Sequence, residues 1–438
     1  VTEYKRTEIH SHTHFSNLRL LDSINRVPPL IDRAVELGLR GIAITEHETL
    51  SSHIEANLYA EKLHKENPDF KVILGNEIYL CDDRSSNQRY YHFILLAKNA
   101  NGHKALRELS STAWLNAYFD RGMQRVVTTK EDLRNIMKKY PNSLIGSTAC
   151  LGGELNVATK AMIDAEKVGD TFTKNEKYNQ ITTFVNFCID LFGDDFYIEC
   201  APGRSKDQLD VNGRLGAVAK AFGRKMVIGT DAHFLKKEDR YVHKAYLNSK
   251  GGEREVDAFY EYAYLQTEEE IIEHLAGTGL DYWEMVKTSD EIYNKIENYS
   301  LRHPQVIPLV EVELNELAYI PNLGTYPTLN YLAFSEDEQE KYWVQECLAA
   351  LRKLYDSGDL SDTLEVYMER LELEADVIAH IGEELGDCLF AYFNTMKHYI
   401  DMFWENGSIV GPGRGSATGF LSNYLLNITQ LDPIKWGL

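Results

Sequence analysis

Short apolar runs with β character recur through the first half of the chain, with stretches of helical period between most of them. The runs are "GIAIT" (41–45), "KVILGNEIYL" (71–80), "YHFILLA" (91–97), "SLIGST" (143–148), "FYIECA" (196–201) and "MVIGT" (226–230). With the segment around His10 they make seven predicted strands. "PPLIDRAVELGL" has prolines at its start and Gly38 near its end, as a helix should. "TTKEDLRNIMKKY" has a threonine cap and Glu131 in its first turn. Strand–helix alternation of this length predicts an α/β barrel. In such barrels the chemistry sits at the C-terminal ends of the strands.

The pattern changes after residue 250. Residues 251–340 hold twenty Asp and Glu against four Lys and Arg, and read as an acidic, solvated connecting region with a few helices. Residues 337–408 read as helices; "YMERLELEADVIAHI" carries apolar residues at helical spacing. The end, "SIVGPGRGSATGFLSNYLLNITQLDPIKWGL", reads as a strand, a glycine-rich turn and a helix.

Bulk properties narrow the class. A chain of 438 residues predicts two or three domains. It begins with Val, so a processed or excised piece is expected. No apolar run reaches membrane-spanning length, and the first residues are polar, which predicts no membrane partner. Six scattered cysteines without a CxxC pair favour a reducing cytoplasm over a disulfide framework or a zinc ribbon. A net charge of −21 excludes nucleic-acid binding by bulk electrostatics. Any contact with DNA must use a local basic groove, metals or a partner.

"EIHSHTHFS" crowds three histidines into five positions. In a strand, His10, His12 and His14 would share one face, an arrangement that suits a metal site or simply a polar strand end. Other candidate ligands fall at the predicted strand ends. They are Asp22, Glu46 and His47, Glu77, His92, Cys150, Glu199, and Asp231 with His233. A hairpin-like return from the third strand to the fourth would bring His92 near Glu77. Each residue alone has an ordinary explanation: a satisfied polar histidine, a small buried cysteine, an aspartate cap. A dozen candidates at one rim point to a metal site. Imidazole, carboxylate and one thiolate together suit Zn²⁺ or Mn²⁺, with Fe a further candidate, and are too nitrogen-rich for Mg²⁺ or Ca²⁺.

"HSHTHFS", "ITEH", "GNE", "YYHFILLAKN", "STACLGGE" and "GTDAHFL" resemble the successive motifs of the PHP (polymerase and histidinol phosphatase) domain. The resemblance implies a distorted (β/α)7 barrel with up to three metal ions. It implies as ligands His10, His12, Asp22, His47, Glu77, His92, Cys150, Asp231 and His233, with His12, His47, Asp231 and His233 as catalytic residues. His14 falls on a variable position. Glu46 stands where the family usually has Asp, and Asp22 aligns after a short insertion.

"VGPGRGSATG" (410–419) offers glycines whose N–H groups can approach phosphate, with a helix N-terminus behind them. It is not a Walker A loop. The stretch from Ser408 to Leu438 is similar to the start of the palm of DNA polymerase III alpha subunits (C-family, DnaE type). "RLELEADVI", "YFNTMKHYIDMFWENG" and "AYLQTEEEI" match preceding segments in the family's order. The resemblance implies triphosphate binding by Gly413, Arg414, Gly415 and Ser416. It also implies Asp-x-Asp carboxylates holding Mg²⁺, and none follows Ser416; the only acid there is Asp432.

The expected organisation is a PHP barrel (1–250), an acidic connection (251–336), thumb-like helices (337–408) and the beginning of a nucleotidyltransferase-like palm (409–438). The expected function is the N-terminal portion of a replicative polymerase whose PHP domain is a metal-dependent phosphoesterase, a 3′→5′ exonuclease being the form that fits. Expected partners are DNA and nucleotides, a second polypeptide carrying the rest of palm and fingers if the gene is split, and replisome proteins. A free-standing PHP phosphomonoesterase and a metal-stabilised, non-catalytic scaffold are the alternatives. The glycine turn argues against the first, and the full ligand set against the second.

Overall fold

The computed structural model describes residues 4–85, 89–120, 123–249 and 260–438. It forms two compact units, Val1–Arg302 and His303–Leu438.

The first unit is built on a sheet whose strands run in chain order. They are β1 (Thr7–Glu8), β2 (Gly41–His47), β3 (Lys71–Cys81), β4 (Tyr91–Ala97), β5 (Leu144–Ser147), β6 (Phe196–Cys200) and β7 (Met226–Ile228). A two-residue strand, Thr128–Thr129, pairs beside the end of β3. Neighbours are parallel except β4, which is antiparallel to both β3 and β5. That reversal distorts the barrel: β3 returns directly into β4, where a parallel pair would need a crossover helix. The sheet nearly closes on itself. Ser11 bridges Ala232, His12 N–H donates to the Ala232 carbonyl at 3.0 Å, and Ala232 N–H donates to His10 at 3.3 Å.

Alternation along the strands separates two apolar faces. Ala43, Ile73, Ile94, Leu96, Ile145, Tyr197 and Val227 pack together on the inner face. Ile42 and Ile44 belong with helix α1 (Val27–Glu36), while Phe93, Leu95 and Ile198 pack under the later helices. A period of two makes both faces apolar, as a helix-covered sheet requires. The capped helix read at "TTKEDLRNIMKKY" forms as Lys130–Lys139, with Thr129 and Asp132 completing a capping box.

The compact units divide the chain differently from the expected boundary near residue 250. Residues 260–302 pack on the barrel. Helix α2 (Tyr282–Lys295) places Ser289 Oγ 3.0 Å from the Thr7 N–H, and Lys71 Nζ donates to the Tyr293 carbonyl at 2.9 Å. Ile292 and Ile296 join the inner apolar face. Acidic composition marked a solvated face of this segment, whereas its buried apolar residues attach it.

The second unit is helical. Helices α3 (Glu338–Ser357), α4 (Leu364–Leu385) and α5 (Phe390–Glu405) enclose Trp343, Leu348, Tyr367, Leu371 and Phe390. The strand expected at Ser408–Val410 does not form, and Ile409 is exposed. A strand needs a pairing neighbour, and the described residues of this unit provide none. A short helix, α6, spans Leu421–Leu425, and a four-residue helix follows at Pro433–Trp436.

Candidate metal centre

The nine residues implied as ligands converge at the C-terminal mouth of the barrel. Parallel register sets His47 beside Glu77, and the antiparallel return sets His92 opposite Tyr79. His10 and His12 follow β1, Cys150 follows β5, and Asp231 and His233 follow β7. Three overlapping groups have ligand-type atoms within 4.8 Å of one another: His12, His47 and His233; His10, His12 and Glu77; Glu77, His92 and Cys150. Asp231 Oδ1 lies 3.3 Å from His10 Nε2 and 3.2 Å from His12 Nε2. Asp22 Oδ2 lies 3.1 Å from His47 Nε2 and 3.3 Å from His233 Nε2, so the insertion before Asp22 does not displace it. His14 takes no part. Strand β1 ends at Glu8, and Thr13 caps a 3-10 turn over His14–Leu18, so the alternation does not reach residue 14.

These atoms fit metal ions better than they fit each other. Asp22 Oδ1, His47 Nδ1, Glu77 Oε2, Asp231 Oδ1 and His233 Nε2 are buried and have no hydrogen-bond partner. His47 Nδ1 and Glu77 Oε2 approach to 2.5 Å without hydrogen-bond alignment. Orphaned buried groups of this polarity are costly in a folded protein. Cations shared among the five would satisfy them.

The remaining ring nitrogens are held from behind. His10 Nδ1 lies 2.6 Å from Glu199 Oε1, His12 Nδ1 lies 2.9 Å from Ser16 Oγ, and His233 Nδ1 donates to the Asp231 carbonyl at 2.7 Å. Each contact leaves Nε2 facing the mouth, the usual support for a metal-binding imidazole. Ser16 Oγ donates in turn to Glu46, which also accepts from the Thr13 N–H at 3.0 Å. Glu46 therefore braces His12 from behind, through Ser16. The supporting roles of Glu199 and Tyr260 escaped the sequence reading. Glu199 stood among the candidates with nothing to mark it as a support, and Tyr260, whose hydroxyl donates to Asp22 Oδ2 at 3.1 Å, lies in the acidic stretch.

Backbone strain clusters here. Glu48, Ala149 and Asp231 have φ of 51°, 58° and 49°; every other positive-φ residue besides glycine, among those described, is an asparagine. Left-handed backbone is disfavoured for such side chains and collects at functional sites. Gly152 is fitted to the same need, since a Cβ there would stand 3.0 Å from the His92 ring.

Burial and charge oppose each other across the cluster. Burial alone would lower His10, but Glu199 and Asp231 hold it well above the ordinary imidazole value. Burial is likewise outweighed at His47 by Asp22 and Glu77, and at His233 by Asp22 and Asp231. Burial would raise Asp22 and Glu77. His47 and His233 hold Asp22 well below the usual carboxylate range, and His92 and His47 do so for Glu77. His12 is different: burial, then His47 and His233, push it down to about 3, which leaves it neutral. Burial, Asp231 and Glu77 push the Cys150 thiol well up.

The second candidate site is only partly as expected. Gly413 and Gly415 have φ of 112° and 58°, and Arg414 and Ser416 are exposed. The N-terminus of α6, expected to add its dipole, already holds an anion. Glu374 accepts from the Leu421 N–H at 2.7 Å and the Ser422 N–H at 2.8 Å, and pairs with Arg370 at 2.9 Å. Those donors are filled from within, which leaves the loop N–H groups and Arg414 for any phosphate. Asp432 is also engaged, capping Ile434 at 2.9 Å and accepting from the Tyr367 hydroxyl at 2.5 Å.

Comparison with known proteins agrees with both halves. Residues 8–202 match the PHP domain, and residues 341–438 match the bacterial DNA polymerase III alpha NTPase domain. A DNA-directed DNA polymerase of Bacillus phage SPbeta is 35% identical over 98% of this chain. The DNA polymerase III alpha subunit of Aquifex aeolicus is 28% identical over 98%, and that of Helicobacter pylori strain J99 is 27% identical over 99%. The chain spans about a third of their length, covering 34%, 34% and 33% respectively. Among solved structures, an amidohydrolase from Chromobacterium violaceum aligns with 52% of this chain and 87% of its own, at 14% identity and a TM-score of 0.33. The chain carries a PHP domain followed by sequence of the DNA polymerase III alpha NTPase domain, and over nearly its whole length it is homologous to DNA polymerase III alpha subunits.

Proposed function

We propose that the chain serves as the N-terminal portion of a replicative DNA polymerase, and that its PHP barrel is a metal-dependent phosphoesterase acting on DNA 3′ ends. The five orphaned ligand-type atoms carry the hydrolytic reading. The ligands are His10, His12, Asp22, His47, Glu77, His92, Cys150, Asp231 and His233. The mixed donors suit Zn²⁺ or Mn²⁺, with Fe a further candidate. Bound ions supply Lewis acidity, activating water and neutralising phosphate charge. The protein's part is to fix the donors. Glu199, Ser16 and the Asp231 carbonyl orient three imidazoles, and His12 stays neutral with a free Nε2 lone pair.

The glycine loop is the nucleotide side of the same reading, with Gly413, Arg414, Gly415 and Ser416 around the triphosphate. Nucleotidyl transfer needs paired carboxylates for Mg²⁺, and Asp432 is occupied in capping. The rest of palm and fingers, carried on a second polypeptide if the gene is split, would complete the polymerase, in a cytoplasmic replisome. No helix among the described residues is long and apolar enough to cross a membrane. The test is metal analysis of the purified protein, with an assay on 3′-recessed and mismatched DNA. Full metal occupancy without hydrolysis of either would reduce the barrel to a scaffold. Template-dependent incorporation by residues 1–438 alone would overturn the reading that they lack the polymerase carboxylates.

A further inference from the structure

Arg19 places a cation beside the metal-capable cluster without an ion-pair partner among the described residues. It ends the 3-10 turn His14–Leu18, and its N–H donates to the Ser16 carbonyl at 2.9 Å. Its guanidinium carbon lies 5.4 Å from the centroid of the Tyr79 ring. That ring stacks on His92 at 4.9 Å and stands 5.7 Å from His47. One aromatic ring therefore neighbours both the guanidinium and two imidazoles of the cluster.

The side chain of Arg19 is half-buried, and its Nε is buried with no hydrogen-bond partner. Among the described residues it forms no ion pair. Neighbouring cations on this side of the barrel are committed elsewhere. Arg84 pairs with Asp132 at 2.5 Å, Arg125 with Asp120 at 3.8 Å, and Lys130 with Asp82 at 2.9 Å and Glu154 at 3.0 Å. Glu48 is engaged through Oε1 by the Tyr79 N–H at 2.7 Å and the Thr128 hydroxyl at 3.1 Å; it feels the Arg19 charge, but no hydrogen bond or ion pair joins the two. A cation over an aromatic face gains only modestly from the ring, and unmatched guanidinium donors are costly once water is partly excluded. The planar fork fits phosphate oxygens in pairs. In a chain of net charge −21, a fixed and unpaired guanidinium at this mouth is the local attraction that an anionic substrate needs.

We propose that Arg19 binds the phosphoryl group of the substrate at the mouth of the cluster, with Tyr79 holding the guanidinium in place. This rests on the phosphoesterase reading of the same site. The test uses the full chain loaded with Mn²⁺, as wild type, Arg19→Met and Arg19→Lys. Three quantities are measured: bound metal per chain, the dissociation constant for inorganic phosphate, and KM and kcat on thymidine 5′-monophosphate p-nitrophenyl ester. Metal content is expected to stay unchanged. Phosphate affinity should fall about tenfold in Arg19→Met and recover in part in Arg19→Lys. KM should rise by a similar factor with kcat little changed, which a purely structural arginine would not produce. If Arg19→Met fails to load metal, Arg19→Lys decides, because it keeps the charge without the fork and must still weaken phosphate. Unchanged phosphate affinity at unchanged metal content overturns the proposal, as does a wild-type protein that binds no phosphate. A wild type that binds phosphate through Arg19 but hydrolyses no ester would remove the phosphoesterase reading and leave the role of Arg19 standing.

Discussion

His10 Nδ1 lies 2.6 Å from Oε1 of Glu199, a carboxylate that faces the back of the ring and not the mouth. Ser147 Oγ donates to the other oxygen of Glu199 at 2.7 Å. Gly229 leaves the room, since a Cβ there would collide with the same carboxylate. Glu199→Gln should therefore lower metal affinity by about 10–100-fold through loss of the charged partner. Gly229→Ala should act in the same direction by displacing Glu199. Competition with a chelator of known affinity measures both. Wild-type affinity in both variants would mean that His10 needs no such support.

Metal binding should release protons and strengthen with rising pH. In the metal-free protein neighbouring carboxylates hold His10, His47 and His233 above the ordinary imidazole value, which favours their protonated forms. An ion must displace those protons. Apparent affinity should rise from pH 6 to 8, as calorimetry in buffers of different ionisation enthalpy would show. A pH-independent affinity with no proton release would contradict the protonation pattern.

Cys150 should be slow to alkylate even without metal. The thiolate is the reactive form, and burial with Asp231 and Glu77 favours the thiol. Label at Cys150, mapped by mass spectrometry, should appear only after chelation and only at alkaline pH. Equal labelling with and without chelator would count against its role as a ligand.

Glu48 should make the protein less stable as pH rises. Burial pushes it up to about 7, well above an unfolded glutamate. The folded state thus favours the protonated acid. Stability is greatest below the unfolded value and declines as pH rises through the folded one, by about 3 kcal/mol in all. Glu48→Gln keeps an oxygen for the Tyr79 N–H and carries no charge. It should be near neutral in effect at pH 5 and stabilising at pH 8, as read by thermal unfolding at both.

Glu374→Ala should destabilise the helical unit by about 3 kcal/mol. It strips the acceptor from Leu421 and Ser422 and leaves Arg370 without its partner. Denaturant unfolding followed in the 303–438 unit would register the loss. An unchanged midpoint would show that water replaces the carboxylate there.

Much of this protein was legible in its sequence because the signals were local. Apolar runs of β character mark β2 to β7, which form at those runs, while β1 forms at Thr7–Glu8, just before His10. Ligand types at strand ends mark a site because the strands of a barrel deliver their ends to one mouth. His92 reached Glu77, at 2.7 Å, by the hairpin return that the short spacing demanded. His14 shows the limit: alternation carries a pattern only as far as the strand continues, β1 ends at Glu8, and the 3-10 turn capped by Thr13 takes His14 away from the cluster. Other features were decided only in three dimensions. Glu199, Tyr260 and Arg19 owe their roles to neighbours 189, 238 and 60 positions away (His10, Asp22 and Tyr79), and no local pattern encodes such pairings. Residues 260–302 of the acidic stretch became part of the barrel unit because Ile292 and Ile296 found an apolar face, which composition averaged over a window conceals. Ser408–Val410 stayed irregular because a strand is defined by its partner and not by its own residues. The N-terminus of α6 went to Glu374 because a buried carboxylate from another helix reached it.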